Sequence, residues 1–195
     1  MELSVRSLTR DDWSIIEKLF GSNGACGGCW CMSWRVPRGG KLWEESKGDK
    51  NKRAFRKLVA TGKVYGVLAF GGNEPVGWCC VGPRGDFPRL ERTKALATSW
   101  TVKTWSVTCF FIRSAWRRKG VATALLAEAV KVARANGAKE LEAYPIKPYT
   151  ENVPAAFAWT GVPVLFEKQK FVNITPPSNS RPIYRKALRA VRSAK

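Results

Sequence analysis

Residues 113–126 read RSAWRRKGVATALL, in which four cations (Arg113, Arg117, Arg118 and Lys119) precede one glycine and a run of small and aliphatic residues. Just upstream, WSVTCFFI at 105–112 is rich in β-branched and aromatic side chains and predicts a buried strand. A strand, a short basic turn and a helix starting at about Val121 therefore follow one another. The first turn of a helix leaves backbone N–H groups unpaired and carries positive dipole charge. With Arg117, Arg118 and Lys119 beside it, such a turn suits a phosphate better than it suits packing. Gly120 lets the chain approach a ligand with no Cβ in the way, Ala122 keeps the rim small, and Thr123 adds a hydroxyl donor. The spacing is neither that of a Walker A loop nor a dinucleotide GxGxxG. A pyrophosphate is the anion it fits.

Outward from this turn, the chain alternates between strand and helix patterns. ELSVR at 2–6 predicts a first strand, and Thr9 with Asp12 forms a capping-box pattern before a helix striped by Trp13, Ile16 and Phe20 and ended by Gly21. NKRAFRKLVATG at 51–62 predicts a second helix with Phe55, Leu58 and Val59 inward and Gly62 as its stop. Two apolar runs around Gly71-Gly72-Asn73 predict a hairpin. Residues 82–100 read as a loop containing a short helix. The helix after Gly120 places Ala122, Leu125, Ala129 and Ala133 on one side and closes at Asn136-Gly137. KELEAYP predicts a strand with Leu141 and Ala143 on one face and Glu140, Glu142 and Tyr144 on the other. A Pro-interrupted loop runs to about residue 161, followed by a short helix over VPVLFEKQ and strands at FVNI and PIYRKAL. The mixture predicts an α/β (α+β mixed) fold: a central mixed sheet with helices on its faces.

Arg117-x-x-Gly120-x-Ala122, after a strand and before a Leu-rich helix, resembles the R/Q-x-x-G-x-G/A motif of the GNAT superfamily of acyl-CoA-dependent N-acetyltransferases. The hairpin strand EPVGWCCV, the strand VTCFFI, KELEAYP and then LFEKQKF stand at the family's spacing, so the resemblance covers roughly residues 2–187. It implies a single acetyltransferase domain over 1–188 with a mostly antiparallel twisted sheet, followed by a basic tail at 189–195. It implies acetyl-CoA as co-substrate. Phe110, Phe111 and Ile112 would be the splayed strand end that pairs with the pantetheine arm. Arg117, Arg118, Lys119, Gly120, Val121, Ala122 and Thr123 would cradle the pyrophosphate. Family members are often dimers, so a homodimer is compatible with it.

The chain departs from the family pattern at three places. Phe166 stands where many members carry the tyrosine that protonates the departing thiolate, and a phenyl ring has no proton to give. Lys170 replaces the usual glycine before Phe171. Ser106 and Thr108 hold the strand positions where some members place a glutamate. The chain has no histidine, which excludes the commonest general base. The remaining candidates are Glu142 and Tyr144 as catalytic residues, Asp86 in the irregular loop, or a chain of water, and an activated thioester can react by positioning alone.

Cys26, Cys29 and Cys31 in GACGGCWCMSWR form a C-x-x-C-x-C cluster. Three thiols are not four and no histidine can complete the set, so a zinc site would need Cys79, Cys80 or Cys109 to fold over; no metal is expected, and the segment reads instead as a wall, with Trp30, Met32 and Trp34 covering the sheet's open edge. Lys and Arg number 34 against 15 Asp and Glu, a formal charge of +19, which favours anionic partners. The expected partner is a small-molecule amine acceptor. Nucleic acid is allowed by the charge but not favoured, since the basic residues do not interleave with aromatics. Acetylation of an RNA-linked or protein amine, and a non-catalytic acyl-CoA- or nucleic-acid-binding module, stand as alternatives. The start lacks a signal-peptide core and no stretch approaches the roughly 18 apolar residues of a membrane span. The expectation is a cytoplasmic protein that meets no membrane, its six cysteines reduced.

Overall fold

The computed structural model describes residues 2–37, 41–146, 158–177 and 179–188. The basic tail expected at 189–195 and most of the Pro-interrupted loop before residue 161 lie outside these residues. The strands are β1 (Leu3–Ser7), β2 (Tyr65–Gly71), β3 (Glu74–Pro83), β4 (Thr104–Ile112), β5 (Glu140–Ala143), β6 (Val172–Asn173) and β7 (Tyr184–Ala187). The helices are α1 (Trp13–Phe20), α2 (Lys41–Ser46), α3 (Asp49–Ala60), α4 (Pro88–Arg92), α5 (Val121–Ala135) and α6 (Pro163–Glu167). All seven strands form one sheet in the order β1-β2-β3-β4-β5-β7-β6. Every neighbouring pair is antiparallel except β4 and β5. The mixed sheet with helices on both faces is the expected architecture. Helix α2 was not anticipated, for a physical reason: it buries none of its side chains, so it leaves no apolar periodicity to read.

Strand alternation divides the core. Val67, Ala69, Cys79, Val81, Trp105, Val107, Leu141 and Ala143 face α5, whose Val121, Leu125, Leu126, Ala129 and Ala133 complete that layer. Leu68, Trp78, Cys80 and Tyr144 face the other way, onto Ile16, Phe20, Phe55 and Val59 of α1 and α3. Gly77 matters here, because a Cβ on it would stand 2.9 Å from Val121 Cγ1 and lift the start of α5 off the sheet. The stripe expected on α5 is displaced at its first residue: Val121 is the buried one, and Ala122 is only half buried. The capping box is half formed. Asp12 Oδ2 accepts the Thr9 backbone N–H at 2.7 Å, but the Thr9 hydroxyl donates to the same oxygen and the helix starts only at Trp13.

One irregularity positions the site. Between β3 and β4 the register passes from Cys80↔Cys109 to Val81↔Val107, leaving Thr108 as an extra residue in β4. Such a bulge reverses the facing of everything beyond it. Cys109 and Phe111 thereby turn toward the α1 face, and Phe110 toward the α5 face.

Candidate active site

Strand β4 pairs with β5 only from Thr104 to Val107, and beyond that the two strands part. A cavity of about 1170 Å³ opens in the gap. Antiparallel pairing hydrogen-bonds alternate residues, and the Arg113 N–H reaches Val76 O on β3, so the amides of Phe110 and Ile112 turn away from β3 into the gap. The Phe110 N–H is taken there by the Trp159 carbonyl at 2.6 Å. The Ile112 carbonyl accepts from Arg117 Nε at 3.1 Å. Phe110, Phe111 and Ile112, expected together as the pantetheine-pairing strand end, all line the cavity, but the Phe110 N–H already has a protein partner.

At one end of the cavity lies the cationic turn. Gly120 takes φ +77° as the residue before α5, with no side-chain cap, and Arg118 also has a left-handed φ of +59°. The first backbone bond of the helix runs from the Ala124 N–H to Gly120 O, so the N–H groups of Val121, Ala122 and Thr123 have no partner within it. Arg117, Arg118, Ala122 and Thr123 line the cavity. Neither guanidinium pairs with a carboxylate among the described residues. Nothing lies within 4 Å of where a Gly120 Cβ would stand. Open donors, unpaired cations and a clear approach fit a diphosphate. Three members of the expected set are outside the lining: Lys119 lies over the Trp116 ring at 5.7 Å, Gly120 has no side chain to offer it, and the Val121 side chain is in the core.

The far end is walled by thiols and aromatic rings. Cys26, Cys29, Cys31, Cys109, Trp78, Phe111 and Trp159 contribute to it. Trp78 Nε1 donates to Cys31 Sγ at 3.1 Å. The bond with Cys109, and burial after it, push the Cys31 thiol well up, and burial does the same to Cys29. Cys109 is drawn down by Cys31, but burial and neighbouring thiols outweigh this and raise it. Cys29, Cys31 and Cys109 thus stay protonated at neutral pH, which makes them poor nucleophiles. Among the described residues no group of three potential ligands is placed to hold a metal ion. Trp30 and Trp34 do not cover a sheet edge as expected. They pack on the sheet's face, Trp30 against Trp13 and Phe20, and Trp34 against Trp159, because the edge strands are β1 and β6.

The sequence-derived catalytic candidates are not brought to the cavity. Glu142 and Tyr144 are fully buried. Glu142 Oε2 accepts from Arg84 Nη1 at 2.8 Å and from the Tyr144 hydroxyl at 2.7 Å, while Oε1 accepts from Arg185 Nη2 at 2.5 Å and Nε at 3.1 Å. Both oxygens are committed, so neither is available to a substrate amine. Tyr144 also bonds Arg84 and Ser106, and burial, then the Glu142 charge, drive its hydroxyl well up. Asp86 lies 3.6 Å from Arg35 and outside the lining. Thr108 is the bulge residue, its carbonyl accepting from Trp34 Nε1 at 3.1 Å. Phe166 is fully buried and outside the lining, while its neighbours Leu165 and Lys168 do line it. Sequence reasoning missed Arg84, whose buried charge only the opposing buried Glu142 could have signalled, and Trp159, which carries no local signal.

A sheet that opens beside a helix start with free amides and unpaired cations is an arrangement able to hold the diphosphate of a nucleotide thioester. Solved structures share this fold. An N-acetyltransferase from Staphylococcus aureus Mu50 superposes with a TM-score of 0.57 at 14% identity, over 97% of this chain and 100% of its own. The PaiA N-acetyltransferase of Thermoplasma acidophilum, in complex with coenzyme A, gives 0.55 at 15% identity over 96% and 99%. A phosphinothricin acetyltransferase of Sinorhizobium meliloti, in complex with AcCoA, gives 0.54 at 15% identity over 96% and 89%. A search of curated proteins found no match. The sequence profile of the Acetyltransferase (GNAT) family matches residues 31–157, more than half of the chain. The chain belongs to the GNAT acetyltransferase family and is an acyltransferase. Among the described residues no helix is long and apolar enough to cross a membrane.

Proposed function

We propose that the protein acetylates the primary amine of a small molecule, by direct attack of that amine on acetyl-CoA held in the same cavity. The observation that carries this reading is the cavity itself. It runs from the open amides of α5, past the parted end of β4, into the Trp- and Cys-walled pocket formed by the segment after α1. The Val121, Ala122 and Thr123 amides with Arg117 and Arg118 would hold the diphosphate. Ile112 would receive the pantetheine arm. Acetyl-CoA supplies an activated acyl thioester. The chain's part is to align the amine against it and keep the pocket apolar, which favours the neutral, attacking form of an amine.

None of the lining residues among the described ones is a carboxylate, and the chain has no histidine. In this reading no side chain acts as general base, and the amine's proton leaves through water. The test is release of free thiol from acetyl-CoA across a panel of small amines. Turnover with at least one supports the proposal. Turnover only with aminoacyl-RNA or protein amines moves it to the macromolecular alternative, which the +19 charge accommodates.

A further inference from the structure

Behind the acceptor end of the cavity stand three guanidinium groups and one carboxylate. Ser33 and Trp159 line the cavity. Arg89 Nη1 donates to both Ser33 O, at 3.2 Å, and Ser33 Oγ, at 3.3 Å. Arg89 and Arg181 each lie 5.7 Å from the centre of the Trp34 ring, which is tilted by 33° against the Trp159 ring at 5.7 Å. Neither Arg89 nor Arg181 has a carboxylate partner among the described residues. Arg35, its side chain only 7% exposed, sits over the Phe87 ring and meets Asp86 at 3.6 Å. Its Nε and Nη2 are buried with no hydrogen-bond partner among the described residues.

This cluster is separate from the diphosphate turn. Trp34 is tied to β4 at Thr108 and Arg117 at Ile112, four residues apart and hence about 13 Å along a strand. Like charges drawn together on a half-buried aromatic surface repel one another. Burial, then the nearby Arg89 charge, lower Arg181. None of the three guanidinium groups lines the cavity itself, but an oxyanion held at Ser33, which Arg89 already touches, would offset that repulsion.

We infer that the acceptor is a small amine that also carries an oxyanion, a carboxylate or a phosphonate, and that Arg89, Arg181 and the Arg35 charge behind them select it at the Ser33–Trp159 end of the cavity. This inference rests on the small-molecule reading above and names the substrate class. It makes Arg181 and Arg89 specificity residues. The amine end then projects along the aromatic wall toward the parted strand, and the anion anchors the other end.

The experiment uses the full chain with coenzyme A present. The protein amino acids, their amides, and the aminophosphonate analogues of alanine and phenylalanine are titrated, following tryptophan emission and the melting temperature. At least one acid is expected to bind about tenfold or more tighter than its amide. That margin should vanish in Arg181→Gln and in Arg89→Gln and partly survive in Arg181→Lys, while the melting shift given by coenzyme A alone stays unchanged. The aminophosphonates tell whether the preferred oxyanion is carboxylate or phosphonate. Amides that match their acids, acids that all fail to bind, or a margin that persists in both variants would overturn the inference. Should Arg89→Gln not fold, Arg181→Gln decides, since Arg181 makes no side-chain hydrogen bond among the described residues. Loss of the acetyl-CoA melting shift in the unaltered protein would instead defeat the cofactor reading.

Discussion

The Phe110 N–H donates to the Trp159 carbonyl oxygen at 2.6 Å, at the place where β4 has left β5. One segment, 158–161, thus caps the parted strand end and also presents the Trp159 ring to Trp34. It joins the thioester side of the cavity to the acceptor side. The predictions below follow from that arrangement and from the residues around it.

Gly120→Glu should abolish the rise in melting temperature that acetyl-CoA gives the unaltered protein, by setting a carboxylate against the diphosphate. Gly120→Ala has space for its methyl group but is strained at φ +77°, and should lower stability by about 1 kcal/mol while keeping most of the shift. Thermal melts with and without acetyl-CoA check both.

Phe166→Tyr restores the residue type common in the family yet should not raise turnover. Phe166 is fully buried among Phe110, Phe171 and Tyr184, so a new hydroxyl meets rings rather than a thiolate. A stability loss of about 1–3 kcal/mol with no gain in kcat is expected, read by urea denaturation and thiol release.

Lys170→Gly should stabilise the protein. Lys170 holds a left-handed φ of +64° that glycine adopts without strain, so the strain relieved is about 1 kcal/mol, less the extra freedom of the unfolded glycine. A higher urea midpoint at constant m-value is the expected result.

Glu142→Gln should act on stability. It leaves Arg84 and Arg185 facing a neutral group at a fully buried site, a loss of about 3–5 kcal/mol. The pH–rate profile of the folded variant should keep the shape of the parent, with kcat/KM rising with pH as the substrate amine itself deprotonates. A profile that loses an acidic limb in the variant would restore Glu142 as a base.

Asp12 couples stability to acid pH. Burial works against its charge, yet the hydrogen bonds from Arg6 and Thr9 outweigh this and hold the carboxyl below its usual value. A carboxyl lowered by folding contributes stability that is whole above its unfolded pKa of about 4 and fades as pH falls through the folded value. Melts below about pH 4 should show this loss, and Asp12→Asn should flatten it while lowering neutral-pH stability by about 1–3 kcal/mol.

The sequence by itself determined the order of strands and helices apart from α2, the Gly72-Asn73 hairpin and the basic turn before α5. Each is written in local periodicity or in residues whose backbone freedom is local. It also carried the family, because the turn's spacing survives without any knowledge of contacts. Tertiary structure alone decided where β4 leaves β5, that Thr108 is the bulge which aims Cys109 at the cavity, and that Glu142 is enclosed by Arg84 and Arg185. Alternation tells that Glu142 and Leu141 face opposite ways, but which layer covers each face depends on pairings between residues up to dozens of positions apart. The same holds for Arg35, Arg89 and Arg181: as isolated cations they read as solvated charge, and only the folded chain sets Arg89 and Arg181 over one tryptophan and Arg35 over Phe87.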